Sequence, residues 1–146
     1  MPQSQIPHTD ISQGAESFQR TDRVRRRRHY LSIQKRGKRV HTANFVFVLH
    51  PNEEGRRLGI TVTRRVKRAV DRNRIKRLLR EVFRRNRGLF PSRSDVVAIA
   101  RPGAEQLDYR RLREEVRAVD AVMARAVRKV RSRGEQAPRG GKARRP

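Results

Sequence analysis

The chain has 146 residues, with 39 Lys plus Arg against 14 Asp plus Glu and a formal net charge of +25. That length suits one compact domain rather than two, and self-repulsion at that charge favours a protein that keeps an anionic partner. There is no Cys, so disulfides and thiolate zinc sites are excluded, and no apolar run approaches membrane-spanning length.

Among anionic partners nucleic acid leads. A membrane surface comes second, because the basic segments lack a broad face of Trp, Phe and Leu to sink into headgroups. Most of the cations are Arg, whose planar fork binds phosphate bidentately and stacks on bases. The first residues, Met1 to Pro7, show no basic stretch followed by an apolar one, unlike a secretory signal. The expectation is a soluble, cytoplasmic protein that does not engage membranes.

Residues 1–22 are polar and aperiodic and read as a disordered leader. The folded domain is expected over 23–131, and 132–146 reads as a disordered basic tail. Arg25 to Arg36 predicts a short helix with Tyr30, Ile33 and Gln34 on one side and Gly37 placed to end it. Lys38 to Thr42 is a candidate strand. Asn44 to Leu49, rich in aromatic and β-branched residues, predicts a strong one. Its alternation puts Phe45, Phe47 and Leu49 on one face and Val46 and Val48 on the other. His50 to Gly55 is a turn. Leu58 to Thr63 then alternates, with Leu58, Ile60 and Val62 opposite Gly59, Thr61 and Thr63. It is expected to lie antiparallel to the preceding strand across the turn.

The segment from Arg64 to Glu81 is the most informative. Half of its residues are Arg or Lys, yet Ile75, Leu78, Leu79, Val82 and Phe83 keep helical i, i+3, i+4, i+7 spacing. The spacing predicts a helix over about Asp71 to Asn86, stopped by Arg87 to Pro91. Opposite the apolar stripe, Asn73, Arg77, Arg80 and Arg84 fall on one line, flanked by Arg74 and Lys76. A solvated helix usually interleaves Glu with Arg; here only Asp71 and Glu81 are acidic. Cations in register near a helix start, with its free N–H groups, suit a phosphate backbone. Asp95 to Ala100 is a near-continuous apolar strand, which predicts a central or parallel position. Asp108 is expected to cap one long last helix with apolar positions Leu112, Val116, Val119, Met123, Val127 and Val130. The order gives αβββαβα, a single α+β domain with one mixed sheet packed against helices.

Catalytic constellations are missing from the pattern. His8, His29, His41 and His50 lack metal-ligand spacing. The acidic pairs Glu53-Glu54 and Glu114-Glu115 each lie near Arg and do not resemble the carboxylate cluster of a two-metal nuclease. Ser92 and Ser94 flank a turn with no His near in sequence, and no phosphate-cradling GxxxxGK[ST] loop occurs. Phe45 and Phe47 read more readily as core than as a base-stacking platform. The inventory favours a binder over a catalyst.

Arg72-Asn73-Arg74, continued by Ile75 to Glu81, resembles the arginine-asparagine-arginine signature of the bacterial ribonuclease P protein component family. Leu58 to Val66 resembles that family's strand leading into the signature. Lys35 to Arg39 resembles its post-helix turn, and Val97 to Pro102 its last strand and exit. The resemblance spans about Arg23 to Val130, with its parts in the family's order.

The resemblance implies a fold similar to a domain of a small-subunit ribosomal protein, with a left-handed βαβ crossover around the signature helix. Generic chain-handedness rules would give the right-handed form. It implies that an RNA subunit, using Mg²⁺, removes the 5′ leader of precursor tRNA by endonucleolytic hydrolysis. The protein would bind that RNA and contact the leader, with no cofactor of its own and one protein per catalytic RNA. By position, Arg64, Arg65, Lys67, Arg68, Arg72, Asn73, Arg74, Lys76, Arg77 and Arg80 would face the ribonuclease P RNA. The leader would lie in a cleft between the first helix and the sheet, with Tyr30, Phe45, Lys35 and Arg36. Two departures, Gln34 and Val48 where members often carry aromatics, imply reduced stacking there. The rival readings are a ribosome-associated protein of similar fold and a stand-alone metal nuclease, the latter disfavoured by the missing carboxylate cluster.

Overall fold

A computed structural model describes residues 22–24 and 26–136. Helix α1 spans Arg27–Arg36, followed by strands β1 (Lys38–His41), β2 (Phe45–Pro51) and β3 (Arg57–Val62). Helix α2 (Ala69–Arg85) leads through a short 3-10 turn at Arg87–Leu89 to β4 (Ser94–Ala100). A second 3-10 turn, Ala104–Gln106, precedes α3 (Tyr109–Arg117) and α4 (Asp120–Gln136). The expected boundary at 131 falls inside α4, which continues through Ser132 to Gln136. The expected tails over 1–21 and 137–146 lie outside the described residues.

The four strands form one mixed sheet in the order β1-β2-β4-β3. β1 pairs antiparallel with β2 (Lys38 opposite Leu49), and β2 antiparallel with β4 (Phe45 opposite Ala100). β3 pairs parallel with β4 (Leu58 opposite Val96). β2 and β3 run in opposite directions, as the turn between them implied, but they do not pair: β4 sits between them. The reason is burial. β4 sends Val96, Ala98 and Ala100 to one side and Val97 and Ile99 to the other, so the centre of the sheet covers what an edge would expose.

The sheet's two faces carry unequal cores. On one, α2, α3 and α4 close over Phe45, Phe47, Leu49, Leu58, Val96 and Ala98. On the other, α1 through Ile33 and the preceding Val24 cover Val46, Val48 and Val97, with Tyr30 alongside. α2 docks through Ile75, Leu79, Val82 and Phe83, all buried. Asp71 in its first turn and Arg84 and Arg85 in its last complement the helix dipole.

The single long last helix is instead two. Asp108 caps α3 as expected, accepting from the Arg111 N–H at 2.8 Å. The chain then tightens where the Val119 N–H donates to the Val116 carbonyl at 3.0 Å, and α4 starts anew. α3 packs on α2, whereas α4 crosses β1 and β2. Leu112 and Val116 of α3 and Met123 and Val127 of α4 all enter the same core.

Gly37 ends α1, but not through a left-handed conformation: its φ is −77° and its ψ 165°. Space demands the glycine. A Cβ there would lie 2.7 Å from the carbonyl oxygens of Ile33 and Leu49 and from a methyl of Val48. Two of those three neighbours are backbone and cannot swing aside. Gly37→Ala is therefore expected to destabilise the fold by about 1–3 kcal/mol, the usual cost of overpacking. Urea unfolding measures it, and an unchanged midpoint would show that the α1–β1 corner yields freely.

Candidate nucleic-acid interface

α2 sets its apolar stripe into the core, so its other side is fixed outward. Asn73 and Arg77 are exposed there, Lys76 and Arg80 half-buried. Arg64, Arg65, Lys67 and Arg68 on the approach are all exposed. Arg68 occupies the N-cap position without a side-chain cap bond.

Two of the signature residues also hold the chain together. The Arg72 guanidinium donates to the carbonyls of Val66 (2.8 Å) and Lys67 (2.9 Å), folding the approach back onto the helix. Arg74 donates to Glu105 O (3.1 Å) and Leu107 O (2.7 Å), tying α2 to the segment before α3. Arg84, on the same outward line, is paired with Glu81. Arg77 is exposed on that side of α2, with Lys76 and Arg80 half-buried beside it. Burial lowers the Arg80 pKa from the ordinary guanidinium value, with the Arg23 charge adding to the shift and Tyr30 opposing it. Arg80 therefore shares its electrostatic surroundings with α1 and with the chain entering the fold.

Tyr30 is pinned at the outer edge of β3, beside the point where the Val24 N–H donates to the Leu58 carbonyl at 3.1 Å. Its hydroxyl accepts from the Ile60 N–H at 2.9 Å, and its ring lies against Gly59, where a Cβ would meet it at 2.8 Å. The bare backbone of Gly59 is what lets the ring lie flat on the strand. Beside it opens a cleft of about 430 Å³ between α1 and β3, lined by Arg27, Tyr30, Leu31, Gln34 and Thr61. One face thus offers a ring, a large aliphatic side chain that is 52% exposed, an amide, a hydroxyl and a cation.

Three of the four expected cleft residues are placed differently. Phe45 is fully buried and points to the opposite face of the sheet, stacked on Phe47 at 5.6 Å between ring centroids. The β2 residues facing α1 are Val46 and Val48. The face covered by three helices takes both phenyl rings into the larger core, whereas the face under α1 and Val24 is filled by Ile33 and valines. Lys35 and Arg36 are exposed in the last turn of α1, beyond the cleft lining. Arg27 and Leu31 went unnoticed in the sequence. A signal existed, since 27, 30, 31 and 34 follow helical i, i+3, i+4, i+7 spacing from Arg27.

α1 is held to the sheet beside this cleft by a buried carboxylate. Asp95 of β4, 1% exposed, takes Arg57 Nε at 2.7 Å, Asn52 Nδ2 at 2.7 Å and His29 Nε2 at 3.3 Å. Strand, turn and helix therefore meet at one anion.

The acidic pairs are structural. Glu53 binds Arg93 (2.6 Å) and Arg131 (3.4 Å), and Arg93 above all holds its carboxyl below the usual carboxylate range. Glu54 binds Arg57 at 3.0 Å. Glu115 accepts from the Asn44 backbone and side-chain amides, both at 2.9 Å, clipping α3 to the β1–β2 turn. Among the described residues no group of three or more His, Asp or Glu is placed to hold a metal, and no helix is long and apolar enough to cross a membrane.

The model of the Ribonuclease P family matches residues 18–126. The chain belongs to the ribonuclease P protein family. The ribonuclease P protein component of Syntrophus aciditrophicus is 43% identical over 94 residues, covering 64% of this chain and 79% of that one. That of Citrifermentans bemidjiense is 39% identical over 105 residues, covering 71% and 90%. The solved ribonuclease P protein of Thermotoga maritima superposes with a TM-score of 0.61 at 36% identity, over 70% of this chain and 96% of that one. As a ribonuclease P protein component, the chain is an RNA-binding subunit in tRNA processing, and its RNA partner is the ribonuclease P RNA.

Proposed function

We propose that the cleft between α1 and β3 takes the single-stranded 5′ leader of precursor tRNA while α2 and its approach face the ribonuclease P RNA. The observation that carries this reading is the cleft's lining: one edge-pinned ring, Tyr30, with Leu31 beside it and Arg27 at the rim. A ring and an aliphatic side chain accept any base by its flat face, and a guanidinium accepts a phosphate, which is sequence-tolerant single-strand binding. With a single aromatic in the cleft, stacking is modest and contact relies more on Arg27, Gln34 and Thr61.

The leader is removed by endonucleolytic hydrolysis at the RNA subunit, in the cytoplasm, with one protein per catalytic RNA. Mg²⁺ bound to the RNA would supply a polarised phosphoryl oxygen and an activated water. The protein contributes position. Its cleft holds the leader, and Arg77 and Arg80 hold the RNA that cuts.

Reconstitution with a bacterial ribonuclease P RNA at low Mg²⁺ tests this. Tyr30→Ala is expected to weaken holoenzyme binding of precursor tRNA by about 1–3 kcal/mol, the worth of one stacked base, and to leave mature tRNA binding unchanged. Equal losses on both would assign Tyr30 to the fold. Specific cleavage by the protein without RNA would move catalysis to the protein.

A further inference from the structure

A second basic surface lies at the sheet edge opposite β3, the strand on which α2 packs. There β1 and α4 enclose a groove of about 370 Å³. Its rim carries Lys38 and Arg39 from β1 and Arg125 and Lys129 from α4; its floor is Val40 and Ala126. Val122 beside them is 41% exposed, one of the few large apolar side chains left open.

The four cations differ from those that the fold itself uses. Several guanidiniums are spent on the protein's own acceptors: Arg57 and Arg87 on Asp95 and Asp22, Arg93 and Arg131 on Glu53, Arg72 and Arg74 on carbonyls. Among the described residues none of the four rim cations forms an ion pair, and no carboxylate lines the groove. Even His41, the remaining polar group of the groove, is held from outside by Arg101 at 3.0 Å. Four uncompensated charges around an apolar trough repel one another in the free protein, and an anion relieves them.

We propose that the β1–α4 groove is a second RNA-binding face, which holds a sugar-phosphate strand of the ribonuclease P RNA. This rests on the family's RNA partner and is independent of the leader-cleft reading. Arg125 and Lys129 stand one helical turn apart, about 6 Å along the axis, a spacing that sets two cations on neighbouring phosphates. The aliphatic floor has no aromatic ring on which to stack a base, so the contact is with ribose and phosphate and does not read sequence. An acidic peptide added as a fifth strand is the rival occupant. β1 disfavours it, since four residues make a short template and Lys38 and Arg39 guard the edge. The two basic faces lie at opposite ends of a four-strand sheet, three strand spacings or about 14 Å apart.

The test is hydroxyl-radical footprinting of a bacterial ribonuclease P RNA with the full chain, together with the salt dependence of binding. R125E/K129E is expected to lose one protected RNA segment that R77A/R80A retains. Affinity should fall at least tenfold at low salt, and the slope of log K against log salt should shrink by about 1.4–1.8, two phosphate contacts' worth. K38Q/R39Q, on a different element, should lose the same segment, which keeps the proposal testable if charge reversal on α4 disturbs folding. An unchanged footprint and slope in both variants would overturn it. So would weakened precursor tRNA binding by the holoenzyme with the RNA footprint intact, which would give the groove to the substrate. Capture of a poly-glutamate peptide in the groove with the RNA footprint unaffected would also overturn it, in favour of a peptide.

Discussion

Phe45→Ala is expected to cost about 3–5 kcal/mol of folding stability, the range for truncating a fully buried aromatic. Phe45 is completely buried, stacks on Phe47 with an interplanar angle of 24°, and lies opposite Ala100 of β4. Few side chains could fill the volume it leaves, because its neighbours are held by the sheet and by α4. Total stabilities of domains this size are about 5–15 kcal/mol, so such a loss leaves the protein marginal. Urea unfolding reads the cost directly. The functional consequence separates Phe45 from Tyr30: whatever folded Phe45→Ala protein remains should bind precursor and mature tRNA in the wild-type ratio. A selective loss of precursor tRNA binding with stability intact would return Phe45 to the cleft.

That Phe45 was legible as part of a strand but not as part of a face shows where sequence reasoning stops. Alternation fixes which residues share a side: Phe45 with Phe47 and Leu49, Val46 with Val48. It does not say which side meets three helices and which meets one. The sheet order is hidden for a related reason. The stretch from Asp95 to Ala100 announces a central strand by being apolar on both sides, and β4 is central. Its insertion between β2 and β3 is a long-range pairing that no local turn signal encodes, so the short His50 to Gly55 turn misleadingly suggests a hairpin. The break after Arg117 contains neither Gly nor Pro; it follows from α3 and α4 docking on different partners. α2, by contrast, was readable almost residue by residue, because charge and apolar spacing agree along its whole length. What the sequence concealed there was division of labour. Arg72 and Arg74 belong to the same signature as Arg77, yet they spend their donors on carbonyls of Val66, Lys67, Glu105 and Leu107.

That division sharpens the expected effect of removing the outward pair. Arg77→Ala with Arg80→Ala should weaken binding to the ribonuclease P RNA on the order of a hundredfold. Each lost charge-assisted hydrogen bond is worth about 1.5 kcal/mol at the low end, and about 3 kcal/mol for the pair is roughly two decades in Kd. The salt slope should shrink by about 1.4–1.8, since each phosphate contact contributes about 0.7–0.9. Loss of Arg77 should little affect folding, because it is exposed; Arg80 is half-buried near Arg23 and Tyr30, so unfolding of the double variant reads any structural share it has. Arg74→Ala is the informative contrast: it removes two bonds to the 105–107 segment, so its loss of RNA binding should come with loss of stability. Filter binding over a salt series, beside urea unfolding of each variant, separates the two cases. An unchanged slope for the Arg77 and Arg80 double variant would place the RNA on another surface. With the β1–α4 variants measured alongside, that result would show whether α2 holds the RNA at all.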